Sequence, residues 1–196
     1  MQIKFKVSFN APVVLTFSIM CFVVTILGII TKGALTQALF MTYHSSPSSP
    51  FTYVRFLTHI LGHANFAHFM GNVSYLLLIG PLLEEKYGSK NVVIVMITTA
   101  IVTGLVNYAL FPNVGLCGAS GVVFAFIIMA SFTGFSEGEI PLTFILVSLI
   151  YIGQQIYEGL AVNDNISNMA HIVGGIVGAV IGYHLNVRRN KKNSNE

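Results

Sequence analysis

A serine between glycines, in the segment Gly118-Ala119-Ser120-Gly121, is the residue best suited to covalent chemistry in this chain. It stands at the start of an apolar stretch, where the first backbone N–H groups of a helix have no partner within that helix. Its glycine neighbours allow another backbone to approach closely. Ser120 is therefore a candidate nucleophile, and its own N–H is a candidate donor to an oxyanion. The same segment also suits a second interpretation, a small-residue motif that packs membrane helices together.

His171, in a later apolar stretch, is the candidate general base for that serine. Ionisable side chains inside a bilayer are costly and are treated first as functional candidates. Gly174, Gly178 and Gly182 follow at four-residue spacing and make a smooth helix face for close packing. Because His171 lies on roughly the same face, packing against the Ser120 segment would bring the imidazole to the hydroxyl. The alternative is a histidine that is hydrogen-bonded to water or to a carbonyl near the membrane surface.

His68 and Asn72 are candidate side-chain donors to the same oxyanion. Residues four apart lie on one helical face, so both side chains can point to one position, as an oxyanion hole requires. His59 and His63 repeat this spacing and, with His68, suggest a metal site. No carboxylate or cysteine accompanies them, so we interpret them as hydrogen-bonding residues that hold a loop. We expect neither a metal nor a cofactor.

The positions of the acidic residues argue against two other hydrolytic mechanisms. None lies in the middle of an apolar stretch, so an intramembrane aspartate pair is excluded, and no His-Glu-x-x-His zinc motif is present. No carboxylate is obviously placed to orient His171, so we predict a Ser–His dyad rather than a triad. Cys117, the rival nucleophile, precedes the glycine turn and lacks the position at a helix start. The acids are Glu84, Glu85, Glu137, Glu139, Glu158, Asp164 and Glu196.

The elements that carry these residues are predicted to be membrane helices. Only 9% of the residues are charged, whereas a soluble domain has about 25%. The basic residues are dispersed or terminal, so we expect no nucleic-acid partner. About 20 apolar residues span the hydrocarbon layer, and we expect the first apolar run to be a retained span rather than a signal peptide. The predicted fold is all-α, one domain over residues 1–196 with six transmembrane helices, at about 13–30, 66–83, 91–111, 119–135, 141–158 and 168–187.

The long connection over residues 31–65 is predicted to lie partly in the membrane interface, because its aromatic stretch is too short to cross. Basic residues in short loops mark the cytoplasmic side. Lys32 and Arg55 fall on one side of the predicted bundle and eight other basic residues on the other. Both termini are therefore predicted to be cytoplasmic, with Ser120 and His171 near the outer leaflet. The eight are Lys4, Lys6, Lys86, Lys90, Arg188, Arg189, Lys191 and Lys192.

With these residues in view, the chain resembles the rhomboid intramembrane serine proteases in their bacterial six-span form. The likeness runs from about residue 55 to about residue 182. Arg55 resembles the arginine of the family's first outer loop, and Glu84 resembles the acid that closes the second span. Three motifs carry the likeness, in order on the second, fourth and sixth spans: His68-x-x-x-Asn72, Gly118-Ala119-Ser120-Gly121 and Ala170-His171 with its spaced glycines.

The resemblance implies a role for each site residue. Ser120 would be the nucleophile and His171 the general base. Phe124 stands where many members carry a tyrosine that packs on the catalytic histidine, so the ring is kept and the hydroxyl is absent. Tyr53-Val54-Arg55 replaces the Trp-Arg pair of the family's loop. The oxyanion hole would be formed by His68, Asn72 and the Ser120 N–H, and lined by Gly118 and Ala119.

The function implied is that of an intramembrane serine endopeptidase without a cofactor, a multi-pass protein of the bacterial inner membrane. Its partners would be the lipid bilayer and transmembrane protein substrates, cut near the outer leaflet. Helices with small or helix-breaking residues should be preferred, because a stable helix hides its carbonyls. Two alternatives are a catalytically inactive rhomboid-like protein that binds transmembrane helices, and a small transporter. The transporter would be supported by paired broken helices or internal repeats.

Overall fold

The structure is a computed structural model and describes residues 7–132, 139–161 and 168–193. The regular elements in these ranges are helices, which confirms the all-α prediction. Thr42 and Leu116 form an isolated antiparallel bridge between two loops. The helices are α1 (Pro12–Ile30), α2 (Ala34–Leu39), α3 (Pro50–Thr58) with a following 3₁₀ turn (His59–Leu61), α4 (Phe66–Tyr87), α5 (Ser89–Leu110), α6 (Ser120–Ser131), α7 (Leu142–Ala161) and α8 (Asn168–Asn193).

Four of the described helices are long and apolar enough to cross a membrane: α1, α4, α5 and the Asn168–Arg188 part of α8. The chain is therefore an integral membrane protein, and the count of six spans stays a prediction. α6 is apolar but has only 12 residues. It ends at Ser131, before the predicted end at residue 135, and residues 133–135 lie outside the described ranges. Hydropathy extends past the helix end because it measures apolar character and not backbone conformation.

Local sequence explains where three of these helices begin. Pro12 occupies the first turn of α1, where its missing N–H costs nothing. Asn65 caps α4, since its side-chain oxygen accepts a hydrogen bond from the His68 N–H at 2.8 Å. Gly88 alone separates α4 from α5 and has a φ of +82°, in the region that favours glycine. α5 starts where α4 ends, and Gly104 near its far end lies against Phe56 and His59, so the two helices run antiparallel.

α6 lies at the centre of the bundle and is buried on all sides, as expected for a helix that is apolar all round. It contacts α8 backbone to backbone. The α-carbon of Gly174 lies against the Gly121 carbonyl group, and that of Gly178 lies against Ala125. Both contacts advance by four residues along each helix, so α6 and α8 run parallel. The smooth glycine face predicted for the last span is therefore confirmed.

Glu84 joins three elements at the end of the bundle where α4 finishes, which we call the Glu84 end. Its carboxylate accepts hydrogen bonds from the N–H groups of Val13 at 3.0 Å and Val14 at 3.1 Å. It also accepts one from the Ser89 hydroxyl at 2.7 Å. A negative charge is stabilised at a helix N-terminus. The starts of α1 and α5 therefore lie side by side at the Glu84 end.

The predicted interfacial connection, residues 31–65, folds around the buried Arg55 side chain. The guanidinium donates to the Ala38 carbonyl at 3.2 Å, to the Tyr43 hydroxyl at 3.0 Å and to the Ser45 hydroxyl at 2.8 Å. It also lies 4.4 Å from the centroid of the Tyr43 ring. The Arg55 guanidinium thus holds together one backbone carbonyl and two side chains of the connection. This arrangement positions α3 and the 3₁₀ turn against the bundle.

Candidate active site

Three helices begin together at the end of the bundle opposite the Glu84 end. His68 lies in the first turn of α4, Ser120 is the first residue of α6, and His171 lies in the first turn of α8. The N-terminus of a helix carries free N–H groups and a partial positive charge. A site between three such ends favours a negatively charged group. All the residues predicted to carry chemistry belong to this end.

Ser120 and His171 are brought into hydrogen-bonding contact, with 2.8 Å between the serine Oγ and the histidine Nε2. This lies within the range of about 2.6–3.2 Å expected for a nucleophile and its base. When the ring proton is on Nδ1, Nε2 accepts the hydrogen bond from the hydroxyl. Both side chains are half-buried. The arrangement can transfer the serine proton to the imidazole.

Phe124 lies one turn after Ser120 and stacks on the His171 ring. The ring centroids are 4.5 Å apart and the planes are inclined by only 4°. Aromatic contacts of this kind contribute about 0.5–1.5 kcal/mol. The stack limits rotation of the imidazole and keeps Nε2 directed at the hydroxyl. The packing that the resemblance implied for a tyrosine is made here by the phenyl ring.

Gly118 brings the turn before Ser120 against His68 and Asn72. Its φ is +127°, a conformation that favours glycine. A β-carbon at this position would lie 2.7 Å from His68 Cε1 and 3.4 Å from Asn72 Nδ2, so the space also excludes a side chain. The two predicted donors therefore flank the backbone two residues before the serine.

Asn72 carries a buried donor that has no hydrogen-bond partner among the described residues. Its side chain is 7% exposed and its Nδ2 is unpaired. Such a group costs about 1–3 kcal/mol, and in native proteins it calls for a functional or structural reason. Since Nδ2 faces Gly118, it is available to an oxygen atom that enters beside Ser120.

A profile of the Rhomboid domain matches residues 50–188 of this chain. The chain belongs to the rhomboid family. Rhomboid-related protein 1 of Caenorhabditis elegans is 30% identical over 138 residues, which cover 66% of the chain and 39% of that relative. Rhomboid protease GlpG of Yersinia pestis (strain Pestoides F) is 23% identical over 176 residues, which cover 88% of the chain and 62% of that relative. GlpG of Yersinia pseudotuberculosis (strain YPIII) gives the same figures. The chain thus spans between about two fifths and three fifths of these relatives' lengths.

His63 contacts the turn before Ser120 in this rhomboid protein, and the sequence did not predict this contact. Its Nε2 accepts a hydrogen bond from the Ala119 N–H at 3.5 Å, and its Nδ1 lies 3.4 Å from the Thr25 hydroxyl. Burial, assisted by the neighbouring His68, lowers the pKa of His63 to about 4. The ring is therefore neutral near pH 7 and can accept this bond. His63 joins α1 to the turn that presents Ser120.

His59 holds the 31–65 connection against α5 in a similar way. Its Nδ1 lies 3.0 Å from the Arg55 carbonyl and donates to it, while Nε2 lies 3.3 Å from the Thr103 hydroxyl. Burial lowers the pKa of His59 to about 4. These contacts confirm the interpretation of both histidines as residues that hold the loop. Within the described ranges, no three His, Cys, Asp or Glu side chains are grouped so that they could hold a metal ion.

Cys117, the rival nucleophile, is held in its thiol form by burial. Burial raises the pKa of its thiol to about 11, and the thiolate is the reactive form. Three of the acids considered from the sequence, Glu137, Asp164 and Glu196, lie outside the described residues. Of the predicted site residues, the structure brings together Ser120, His171, Phe124, Gly118, Ala119, His68 and Asn72.

Proposed function

We propose that this rhomboid protein is an intramembrane serine endopeptidase that cleaves transmembrane helices of other membrane proteins through a Ser120–His171 dyad. The 2.8 Å distance between the two reacting atoms is the observation that carries the proposal. Similarity to proteins named rhomboid protease supports it. No cofactor takes part.

In the acylation half of the reaction, Ser120 Oγ attacks a peptide carbonyl carbon while its proton passes to His171 Nε2. The carbonyl oxygen becomes an oxyanion, which accepts hydrogen bonds from the Ser120 N–H and from the His68 and Asn72 side chains. The C–N bond then breaks. The leaving amine takes the proton from His171, and an ester joins the substrate's acyl group to Ser120.

In the deacylation half, water attacks the ester carbonyl and gives a proton to His171 Nε2. The same donors stabilise the second oxyanion. The ester C–O bond breaks, Ser120 Oγ recovers its proton from the imidazolium, and the new carboxyl terminus leaves. Ser120 and His171 are only half-buried, which is compatible with water reaching them.

The substrates we propose are helices with small or helix-breaking residues near one membrane surface, because regular helices engage their carbonyls in internal hydrogen bonds. We further propose the bacterial inner membrane with cytoplasmic termini. Lys86, Lys90 and Arg188 lie toward the Glu84 end, where Tyr87 and Asn186 are hydrogen-bonded, and basic residues favour the cytoplasmic side. Ser120, at the opposite end, would then lie near the outer leaflet.

Cleavage of a model transmembrane substrate in detergent tests this function. We expect the parent protein to cleave it, and Ser120→Ala or His171→Ala to reduce kcat/KM by at least about 10³-fold. Cys117→Ala, the matched control, should retain activity. A fluorophosphonate should label the parent at Ser120 and leave Ser120→Ala unlabelled. Cleavage by Ser120→Ala at the parent's rate would refute the dyad, and binding without cleavage by the parent would favour the inactive helix-binding alternative.

A further inference from the structure

A long groove opens on the side of the molecule formed by α1, α5 and the end of the 31–65 connection. Its volume is 480 Å³, within the range of about 300–1,000 Å³ typical of small-molecule sites. None of the proposed catalytic residues lines it. The groove contains apolar side chains from each of the three elements, among them Phe17, Met20, Leu57, Leu61, Val93 and Ile97.

The groove is open to the surroundings and apolar. Met20, Leu57 and Ile97 line it and are each between 44% and 47% exposed. In a chain that crosses the membrane, such side chains face lipid tails. Two hydroxyls, those of Thr16 and Thr58, belong to the lining. The single O–H of Thr58 is shared between the Leu39 and Val54 carbonyls, so it does not require a polar ligand. The interior of the groove therefore suits hydrocarbon.

A cationic residue, Lys90, lies in the first turn of α5, near one end of the groove. Pro12 and Val13 line that end, and Glu84 links the Val13 N–H to the Ser89 hydroxyl. The start of α5 is therefore adjacent. Lys90 follows Ser89 and is exposed. It precedes the lining residues Val93 and Ile97 by three and seven positions, which places all three along one side of α5.

The groove combines an apolar interior with a cation near one end. The lining of α1 extends from Pro12 to Met20, about 12 Å at 1.5 Å per residue. An anionic lipid matches both features, since its acyl chain is apolar and its phosphate is negatively charged. We propose that the groove binds an acyl chain of an anionic phospholipid whose phosphate pairs with the Lys90 ammonium. The site is separate from the proposed active site.

Native mass spectrometry of the full chain in mild detergent tests the apolar part of this site. The probes are phosphatidylglycerol and phosphatidylcholine with identical acyl chains. We expect one lipid retained per chain, with phosphatidylglycerol preferred about fivefold, the factor for one lysine near a membrane surface. Ile97→Trp should fill the groove and abolish retention of both lipids. Ile94→Trp is the matched control, since Ile94 is similarly exposed at 43% but does not line the groove, and it should bind as the parent does.

Two charge variants test the headgroup contact. Lys90→Gln should reduce phosphatidylglycerol retention about fivefold, to the level of phosphatidylcholine. Arg188→Gln removes a charge near the same membrane surface, on α8, and should leave the preference unchanged. Circular dichroism verifies that each variant is folded, and Ile97→Phe replaces Ile97→Trp if the larger ring prevents folding. The proposal would be overturned if the parent retained neither lipid, or if the two variants of either pair had equal effects. It would also be overturned if the parent formed a dimer that Ile97→Trp disrupts.

Discussion

Gly174 of α8 lies directly against the peptide group of Gly121 of α6. A β-carbon at position 174 would lie 2.8 Å from the Gly121 carbonyl carbon and closer still to the oxygen. This contact is one residue after Ser120 and three residues after His171. The two helices therefore approach as closely as their backbones permit at the level of the dyad. The short distance between hydroxyl and imidazole follows from this approach.

Gly174→Ala should separate α6 from α8 and weaken both folding and activity. The added methyl group cannot be accommodated by a flexible side chain, since its neighbours are backbone atoms, and overpacking costs about 1–3 kcal/mol. Gly175→Ala is the matched control, because its β-carbon would meet Ile128 Cγ1 at an ordinary 3.5 Å. Thermal unfolding and kcat are the measurements. Equal values for the two variants would mean that the close approach does not position the dyad.

Asn72→Ala should reduce kcat by about 10²–10³-fold, as for other oxyanion donors, with little change in KM or Tm. The reason is that Nδ2 has no hydrogen bond in the described structure to lose. Asn107→Ala is the contrasting variant, because the Nδ2 of Asn107 donates a hydrogen bond to the Val114 carbonyl at 3.0 Å. That variant should lower Tm more than kcat. A Tm loss in Asn72→Ala as large as in Asn107→Ala would indicate a structural role for Asn72.

Phe124→Ala should lower kcat up to about tenfold, since the stacked pair contributes about 0.5–1.5 kcal/mol to the imidazole's orientation. Phe124→Tyr keeps the ring and should retain the parent's kcat. The assay is substrate cleavage at a temperature well below the Tm of every variant. An unchanged rate in Phe124→Ala would show that the His171 ring is held without the stack.

Stability should decrease as the pH is lowered from about 6.5 to about 4. His59 and His63 have folded-state pKa values of about 4, and their unfolded value is about 6.5. In this window the unfolded state binds protons that the folded state does not. Each histidine therefore lowers the free energy of unfolding by up to about 1.4 kcal/mol for each pH unit of decrease within this window, and its slope disappears about one unit above pH 6.5.

Denaturant unfolding in detergent at several pH values measures this slope. His63→Gln should reduce it, because one of the titrating histidines is gone. His44→Gln controls for the substitution itself, since His44 is exposed and stacks on Tyr108 at the surface, away from the contacts of His63. Identical slopes in the parent and His63→Gln would contradict the assignment of the proton uptake to His63.

Much of the candidate site was predictable because its chemistry depends on residue type and on local position. Ser120 and His171 stand near the starts of apolar stretches, and their helices begin at Ser120 and Asn168. Asn65 supplies a recognisable cap just before His68. The end of α6 at Ser131 was not predictable in the same way, since the apolar run continues past it.

Contacts between distant segments could not be read from the chain. His63 meets Ala119 across 56 positions, and Val13 meets Glu84 across 71. Arg55 donates hydrogen bonds to three groups of the 31–65 connection, and the sequence of this connection has no hydrophobic periodicity that would predict them. Each contact depends on how several helices pack at once, and no local pattern encodes that arrangement.

Hydropathy and residue type are local properties, and they were enough to predict a helical membrane protein and the residues that could form a dyad and its oxyanion donors. The 2.8 Å between Ser120 and His171 is a different kind of quantity. It results from the close approach of α6 and α8, in which the backbone of Gly121 occupies the space that a side chain at position 174 would need. The unpaired Nδ2 of Asn72 is buried only once α4 and α6 pack together. The groove near Lys90 likewise forms only once α1 and α5 pack together. Tertiary packing decides them because each combines atoms from elements far apart in the sequence.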